Sequence, residues 1–181
     1  MNLPVTPRFR PALDPDFLPA PLWNRAYRDL VARDPAARPI ALALIRADGA
    51  ASVHHDRVLP AAHPAAGHTL RYVERLLKFL LWQKGGCGVL VAGAPELASA
   101  LAKIYSPTGA RAFDHAFMGE KVYGRTFSVE ACALDALPAT DDSSLAMGRH
   151  LDGCRIGFDL GGSDRKAAAL IEGKVVYSEE I

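Results

Sequence analysis

No apolar run in this chain approaches the roughly 18–20 residues that cross a bilayer, and its opening stretch, MNLPVTPRFRPALDPDF, has no apolar core of the signal-peptide kind. A cytoplasmic location without membrane contact is the expectation. Cysteine is scarce: Cys87, Cys132 and Cys154 are odd in number, widely separated and never in a CxxC pair. That argues against a disulfide framework and against a cysteine-rich zinc site. Charge of one sign is missing too, since 21 Lys and Arg against 20 Asp and Glu leave a formal net charge of +1. No bulk field draws the chain to nucleic acid or to an anionic surface. The 15 glycines and 13 prolines show no period, which excludes a collagen-like chain. What is present is 181 residues, 50% of them apolar, enough to bury the core of one domain, or of one domain with an appendage.

Residues 1–22 hold six of the 13 prolines, a density that blocks helix and removes ladder donors. They read as a Pro-rich extended arm, lightly held, with Phe9, Phe17, Leu18 and Trp23 as its available anchors. Residues 23–137 read as an α/β module of unknown role. A short amphipathic helix over 22–32 places Leu22, Ala26, Leu30 and Val31 on its apolar side and ends at Asp34-Pro35. The apolar run 40–45, the turn signal Asp48-Gly49 and residues 51–59 read as a β-hairpin. Leu70, Val73, Leu76, Leu77, Leu80 and Leu81 recur at helical spacing up to Gly85-Gly86. GVLVA at 88–92 reads as a buried strand, followed by a helix with Pro95 in its first turn. Over 111–133, Val122, Phe127, Val129 and Ala131 suit one or two strands, with Gly119 and Gly124 as bends. Residues 138–150 (PATDDSSLAMGRH) are polar and aperiodic and read as a linker.

Residues 151–181 carry the chemistry. RIGFDLGGSDRKAAALIEGKVVYSEEI reads as three strands of an antiparallel meander. Between the first two strands lies a tight turn with two glycines, a hydroxyl and three charged residues. Such a turn can hold phosphate: Gly161 and Gly162 let the backbone come close, free N–H groups point inward, Ser163 adds a donor and Lys166 neutralises charge. Asp159 at the strand end can hold magnesium through water.

These residues resemble the first phosphate motif of the actin-like ATPase superfamily, which includes hexokinases, heat-shock ATPases and acetate kinases. Its opening strands read hydrophobic-x-hydrophobic-D-x-G-G/S-T/S, then a basic residue and a small-residue strand. The closest look is to the ROK family of sugar kinases and repressors, and to the activator ATPases of the benzoyl-CoA reductase and hydroxyacyl-CoA dehydratase type. Asp159 matches the magnesium-facing aspartate, Gly161 and Gly162 the phosphate-turn glycines, Ser163 the serine or threonine and Lys166 the basic residue. Glu172-Gly173-Lys174-Val175-Val176 resembles the "DG-x-I-V" turn that follows. The resemblance implies an α/β fold in which a mixed-sheet module precedes the opening antiparallel meander of an actin-like (ribonuclease-H-like) ATPase domain. It implies ATP and Mg as cofactors and phosphoryl transfer to a sugar, and a homo-oligomer is compatible with it; the expectation of no membrane partner and no clear nucleic-acid signal rests on the balanced charge and the lack of a long apolar run. It covers about 27 residues, without a second phosphate loop, an adenosine loop or a catalytic base. The chain is therefore expected to be the amino-terminal part of such a kinase, with no catalytic residue assigned. The alternative is a non-catalytic α/β binding or regulatory module carrying a relic phosphate turn. A third account makes Gly161-Gly162 a simple hairpin turn.

Other groupings carry less. His54, His55, His63 and His68 cluster in sequence, but neighbouring strand residues point to opposite faces and cannot share one ion. Cys87, between glycines beside a strand, reads as a small apolar core residue. Arg111, Asp114, His115, Glu120, Lys121 and Arg125 are interleaved with aromatics and read as a solvated strand-and-turn region. Lys84-Gly85-Gly86 lacks the order of a P-loop. GVLVAGAPELASALAKIYSPTG has the strand, glycine loop and helix order of the superfamily's adenosine motif, but Ala94 stands at the second glycine; a packed α/β unit is the account taken.

Overall fold

Five consecutive buried residues, Ile40 to Leu44, mark the centre of the fold. The computed structural model describes Leu3, residues 5–142 and residues 150–181. It divides into two compact units, Met1–Asp142 and Ser143–Ile181. Pro4 and residues 143–149, the middle of the expected linker, lie outside the described residues.

In the first unit, α1 (Ala20–Arg33) leads into the hairpin β1 (Arg38–Ile45) and β2 (Ala51–Val58). A 3-10 turn and α2 (Thr69–Lys84) then cross to β3 (Gly88–Ala92), and α3 (Pro95–Ile104) leads on. The short α4 (Ala112–Ala116) runs into a π-helical stretch, Phe117–Tyr123, and β4 (Ser128–Cys132) closes the sheet. Strand order is β2-β1-β3-β4. Both β2 and β3 run antiparallel to β1, so α2 connects two parallel strands across the one between them, and β3 and β4 pair in parallel through α3.

Register decides where the core sits. Leu42 lies opposite Val91 and Leu44 opposite Val89, and this face packs against Trp23, Tyr27, Val73, Leu77, Leu81 and Leu101 from α1, α2 and α3. The other face carries the small side chains Ala41, Ala43 and Ala92, with exposed His55 and Arg57 toward β2. Gly85, at φ 76, ends α2, its N–H reaching Leu81 O at 2.9 Å; a left-handed residue is what such an end requires.

Three local expectations are corrected. On α1 the buried positions are Trp23, Tyr27 and Val31; of the expected apolar side Val31 is buried and Leu30 packs on the core, while Leu22 and Ala26 are only part-buried. Tyr27 stacks on Tyr72 at 4.5 Å between centroids, and its hydroxyl meets Thr69 Oγ1 at 2.7 Å and accepts Leu59 N–H at 3.3 Å. A large ring with a satisfied polar tip outcompetes alanine for the core. Of the arm's anchors, Leu18 and Trp23 pack inward, whereas Phe9 and Phe17 are exposed. Val122 is in no strand; it is an exposed residue of the π-helical stretch. Ala112, Ala116 and Met118 favour helix there, and burial of Asp114, Met118 and Gly119 overrides one β-branched residue. Gly119 lies inside that helix, while Gly124 (φ 62) bends the chain out of it.

The second unit is the meander β5 (Cys154–Leu160), β6 (Arg165–Ile171) and β7 (Lys174–Glu180), antiparallel throughout, with an irregularity between Ala169 and Leu170. The protein is thus α/β, with a mixed four-stranded sheet and a three-stranded antiparallel sheet.

Candidate functional site

The residues singled out in 155–181 come together at one end of β5 and β6. Asp159 is the register partner of Lys166, and Gly161, Gly162, Ser163 and Asp164 form the turn that joins the two strands. Alternation places Phe158 and Leu160 on one face, with Ala167, and Asp159 on the other, with Lys166 and Glu180. The far side of the turn is pinned by Arg165 and Ile181, which exchange backbone hydrogen bonds of 2.8 and 2.9 Å.

The two glycines have different reasons. Neither adopts a positive φ, in contrast to Glu172 (φ 46) and Gly173 (φ 75) in the next hairpin, so the turn's conformation does not call for glycine. At Gly161 an added Cβ would lie 2.5 Å from Asp164 Oδ1 and 3.1 Å from Asp164 O; a side chain there requires the Asp164 carboxylate to swing aside and its carbonyl to give by a few tenths of an ångström. At Gly162 an added Cβ would meet nothing within 4 Å. The fold gives no reason for glycine there, and the bare backbone is left open to approach.

Charge around the turn is mixed. Lys166 Nζ is shared between Asp164 Oδ2 at 3.2 Å and Glu180 Oε1 at 3.5 Å. All three are part-exposed, so the ammonium can change partners at little cost. Among the described residues the Asp159 carboxylate has no hydrogen-bond or ion-pair partner. Asp159, Asp164 and Glu180 outnumber Lys166 on this side, which disfavours a bare anion and suits a phosphate that brings its own cation. Among the described residues no three His, Cys, Asp or Glu side chains form a metal-holding group. Asp159 alone fits a magnesium ion that keeps most of its waters and takes phosphate oxygens as further ligands. Glu180 was not picked out by sequence reasoning: its place beside Lys166 depends on the β6–β7 register, which the irregularity at Ala169/Leu170 shifts.

In the first unit, Asp114 is buried, accepting from Lys78 Nζ at 2.6 and 2.8 Å and from Trp82 Nε1 at 2.7 Å. Arg111 Nε donates to Glu74 Oε1 at 2.5 Å, and that pairing raises the guanidinium's pKa. His115, Glu120 and Arg125 line a cavity of about 500 Å³ beside the π-helical stretch. Asp114 is thereby committed to structure, not to acid–base work. His54 and His55 lie opposite Leu42 and Ala41, on opposite faces of the sheet. Cys87 is buried, its Sγ 3.6 Å from Ile45 O. No family model matches the chain, and no curated protein or solved structure matches it either.

Proposed function

We propose that the turn between β5 and β6 binds the phosphates of Mg-ATP, as the first phosphate motif of an actin-like ATPase resembling the ROK sugar kinases. The observation that carries this reading is the pairing of an unpartnered Asp159 with Lys166 at the mouth of a turn whose Gly162 is open and conformationally unforced. Asp159 holds the hydrated magnesium, and the N–H groups of Gly161, Gly162 and Ser163 with the Ser163 hydroxyl donate to phosphate oxygens. Lys166 exchanges a carboxylate for a phosphate oxygen. Bound Mg-ATP supplies the phosphoryl group, and a sugar is the acceptor that the ROK resemblance suggests. The protein's own contribution is positioning and charge neutralisation.

The test is calorimetric or NMR titration of the intact chain with ATP, with and without magnesium. Binding is expected only with magnesium, and Asp159→Ala is expected to weaken it by at least about tenfold, the worth of a charge-assisted contact. The variant's circular dichroism and melting temperature should match the parent's, because Asp159 is exposed and unpartnered. Undiminished binding in a folded Asp159→Ala protein would sink the assignment.

A further inference from the structure

The arm holds a pattern that neither the phosphate turn nor the core uses. From Pro7 to Pro19 every odd position is proline or a large apolar residue: Pro7, Phe9, Pro11, Leu13, Pro15, Phe17 and Pro19. The even positions are Arg8, Arg10, Ala12, Asp14, Asp16 and Leu18. In an extended strand, side chains at alternate positions share a face, and backbone N–H and C=O groups at alternate positions share an edge. Extended, this segment has one apolar face. It also has one edge that prolines strip of donors and one edge, through the even residues, that keeps every donor. That is the form of an edge strand able to pair on one side only.

The segment's own body does not satisfy the pattern. Leu3 is buried and Val5 and Leu18 pack on the core, so the segment is held at both ends. Between them the chain bends at 8–9 and 12–13, and Phe17 N–H turns back to Asp14 O at 3.1 Å. Phe9, Leu13 and Phe17 stay 79%, 101% and 51% exposed.

A matching edge lies on β2. Among the described residues no strand pairs with its outer side. Arg46 N–H bonds to Ala50 O at 2.9 Å within the hairpin, while Ala51 O accepts Asp141 N–H at 2.7 Å. Even residues of β2 therefore face β1, and Val53, His55 and Arg57 turn their backbone groups outward, where Arg57 N–H is held by the exposed Asp56 Oδ1 at 2.7 Å and must exchange that carboxylate for a strand partner. The His55 and Arg57 side chains are exposed; Arg57, whose guanidinium also donates to Ala37 O at 2.7 Å, complements Asp14 by charge, and the His55 ring can donate a hydrogen bond to Asp16.

We propose that residues 12–17 of one copy pair antiparallel with β2 of a second copy, Asp14 opposite Arg57 and Asp16 opposite His55. Leu13 and Phe17 then fall on the helix-bearing side of the sheet. The contact is reciprocal, each copy giving an arm and receiving one, which closes a two-fold dimer. It is independent of the phosphate turn.

Sedimentation velocity of the intact chain over a range of concentrations should show a reversible dimer. Ala12→Pro puts a proline on the pairing edge and should weaken that dimer at least about tenfold. Register is read by disulfide trapping in a Cys132→Ser, Cys154→Ser background, mixing a mass-tagged Asp16→Cys chain with a His55→Cys chain. Cross-linked heterodimer should exceed that from a Pro15→Cys mixture at least about tenfold, because a thiol introduced by Pro15→Cys would point to the other face. A monomer at every concentration, a dimer indifferent to Ala12→Pro, or equal trapping by both mixtures overturns the proposal. So does a disulfide that forms only within a chain carrying both Asp16→Cys and His55→Cys.

Discussion

Three buried tyrosines of the first unit, Tyr27, Tyr72 and Tyr105, manage their hydroxyls differently. Tyr72 donates to Asp56 Oδ2 at 2.7 Å, and burial together with that carboxylate pushes its pKa up. Burial also raises Tyr27, where the hydrogen bond with Thr69 works the other way, and raises Tyr105, whose hydroxyl is buried without a partner among the described residues. In each case the folded state holds the phenolic proton more tightly than the unfolded chain does. Their contribution to stability is complete below the ordinary tyrosine pKa of about 10 and declines above it. The expected loss is about 1.4 kcal/mol per tyrosine for each pH unit beyond that point, until the folded pKa is reached. Denaturant midpoints measured at a series of alkaline pH values check this, with the absorbance of these three buried tyrosines as tyrosinate appearing only as the protein unfolds. Tyr72→Phe should flatten the profile by one tyrosine's share; a stability independent of pH in that range would contradict the account.

At the scale of elements, the π-helical stretch is the part least compatible with its sequence read in isolation. An added Cβ at Gly119 would sit 2.8 Å from Arg125 O and 2.9 Å from Phe127 N. Both are backbone atoms that cannot yield separately. Gly119→Ala is expected to cost about 2 kcal/mol by overpacking, whereas Gly67→Ala, with nothing within 4 Å of the added carbon, should lie within about 0.5 kcal/mol of the parent. Paired urea melts of the two variants decide it, and equal stabilities would mean that the Arg125–Phe127 backbone gives way. The same contrast shows what the sequence discloses. α2 was legible because six leucines and valines keep helical spacing and Gly85 ends it; β3 and the start of α3 were legible from GVLVA and Pro95. The three strands of the meander were legible from their two turns, and so were the turn residues between Asp159 and Lys166. Trp23 was legible as an anchor, but Tyr27 was missed because its stacking and hydroxyl pairing depend on α2, distant in sequence. Glu180 beside Lys166 depends on strand register, and the π-helical stretch on Gly119 meeting residues that follow it. None of these contacts has a local signature.

Across the whole molecule, the two units differ in how their strands are covered. β1 has five successive buried residues, while every residue of β5 and β7 is exposed, Ile156, Phe158 and Leu160 by 71%, 73% and 76%. Burial of apolar side chains is the main resistance to local opening, so amides of β5–β7 should exchange with deuterium at least about a hundredfold faster than those of β1 and β3. Ligand binding adds a second, separable expectation. A nucleotide that binds only the folded turn stabilises it by RT ln(1 + [L]/Kd), about 2.7 kcal/mol at a hundredfold excess over Kd. Protection should therefore rise in β5 and β6 when magnesium and ATP are present together and remain unchanged in β1. Hydrogen exchange read by mass spectrometry, with and without Mg-ATP, separates the two ideas. Uniformly slow exchange without ligand would contradict the exposed-sheet account while leaving the phosphate turn standing. Fast exchange in β5–β7 that Mg-ATP fails to slow would do the reverse, because an open sheet that gains nothing from ligand has no phosphate site in its turn.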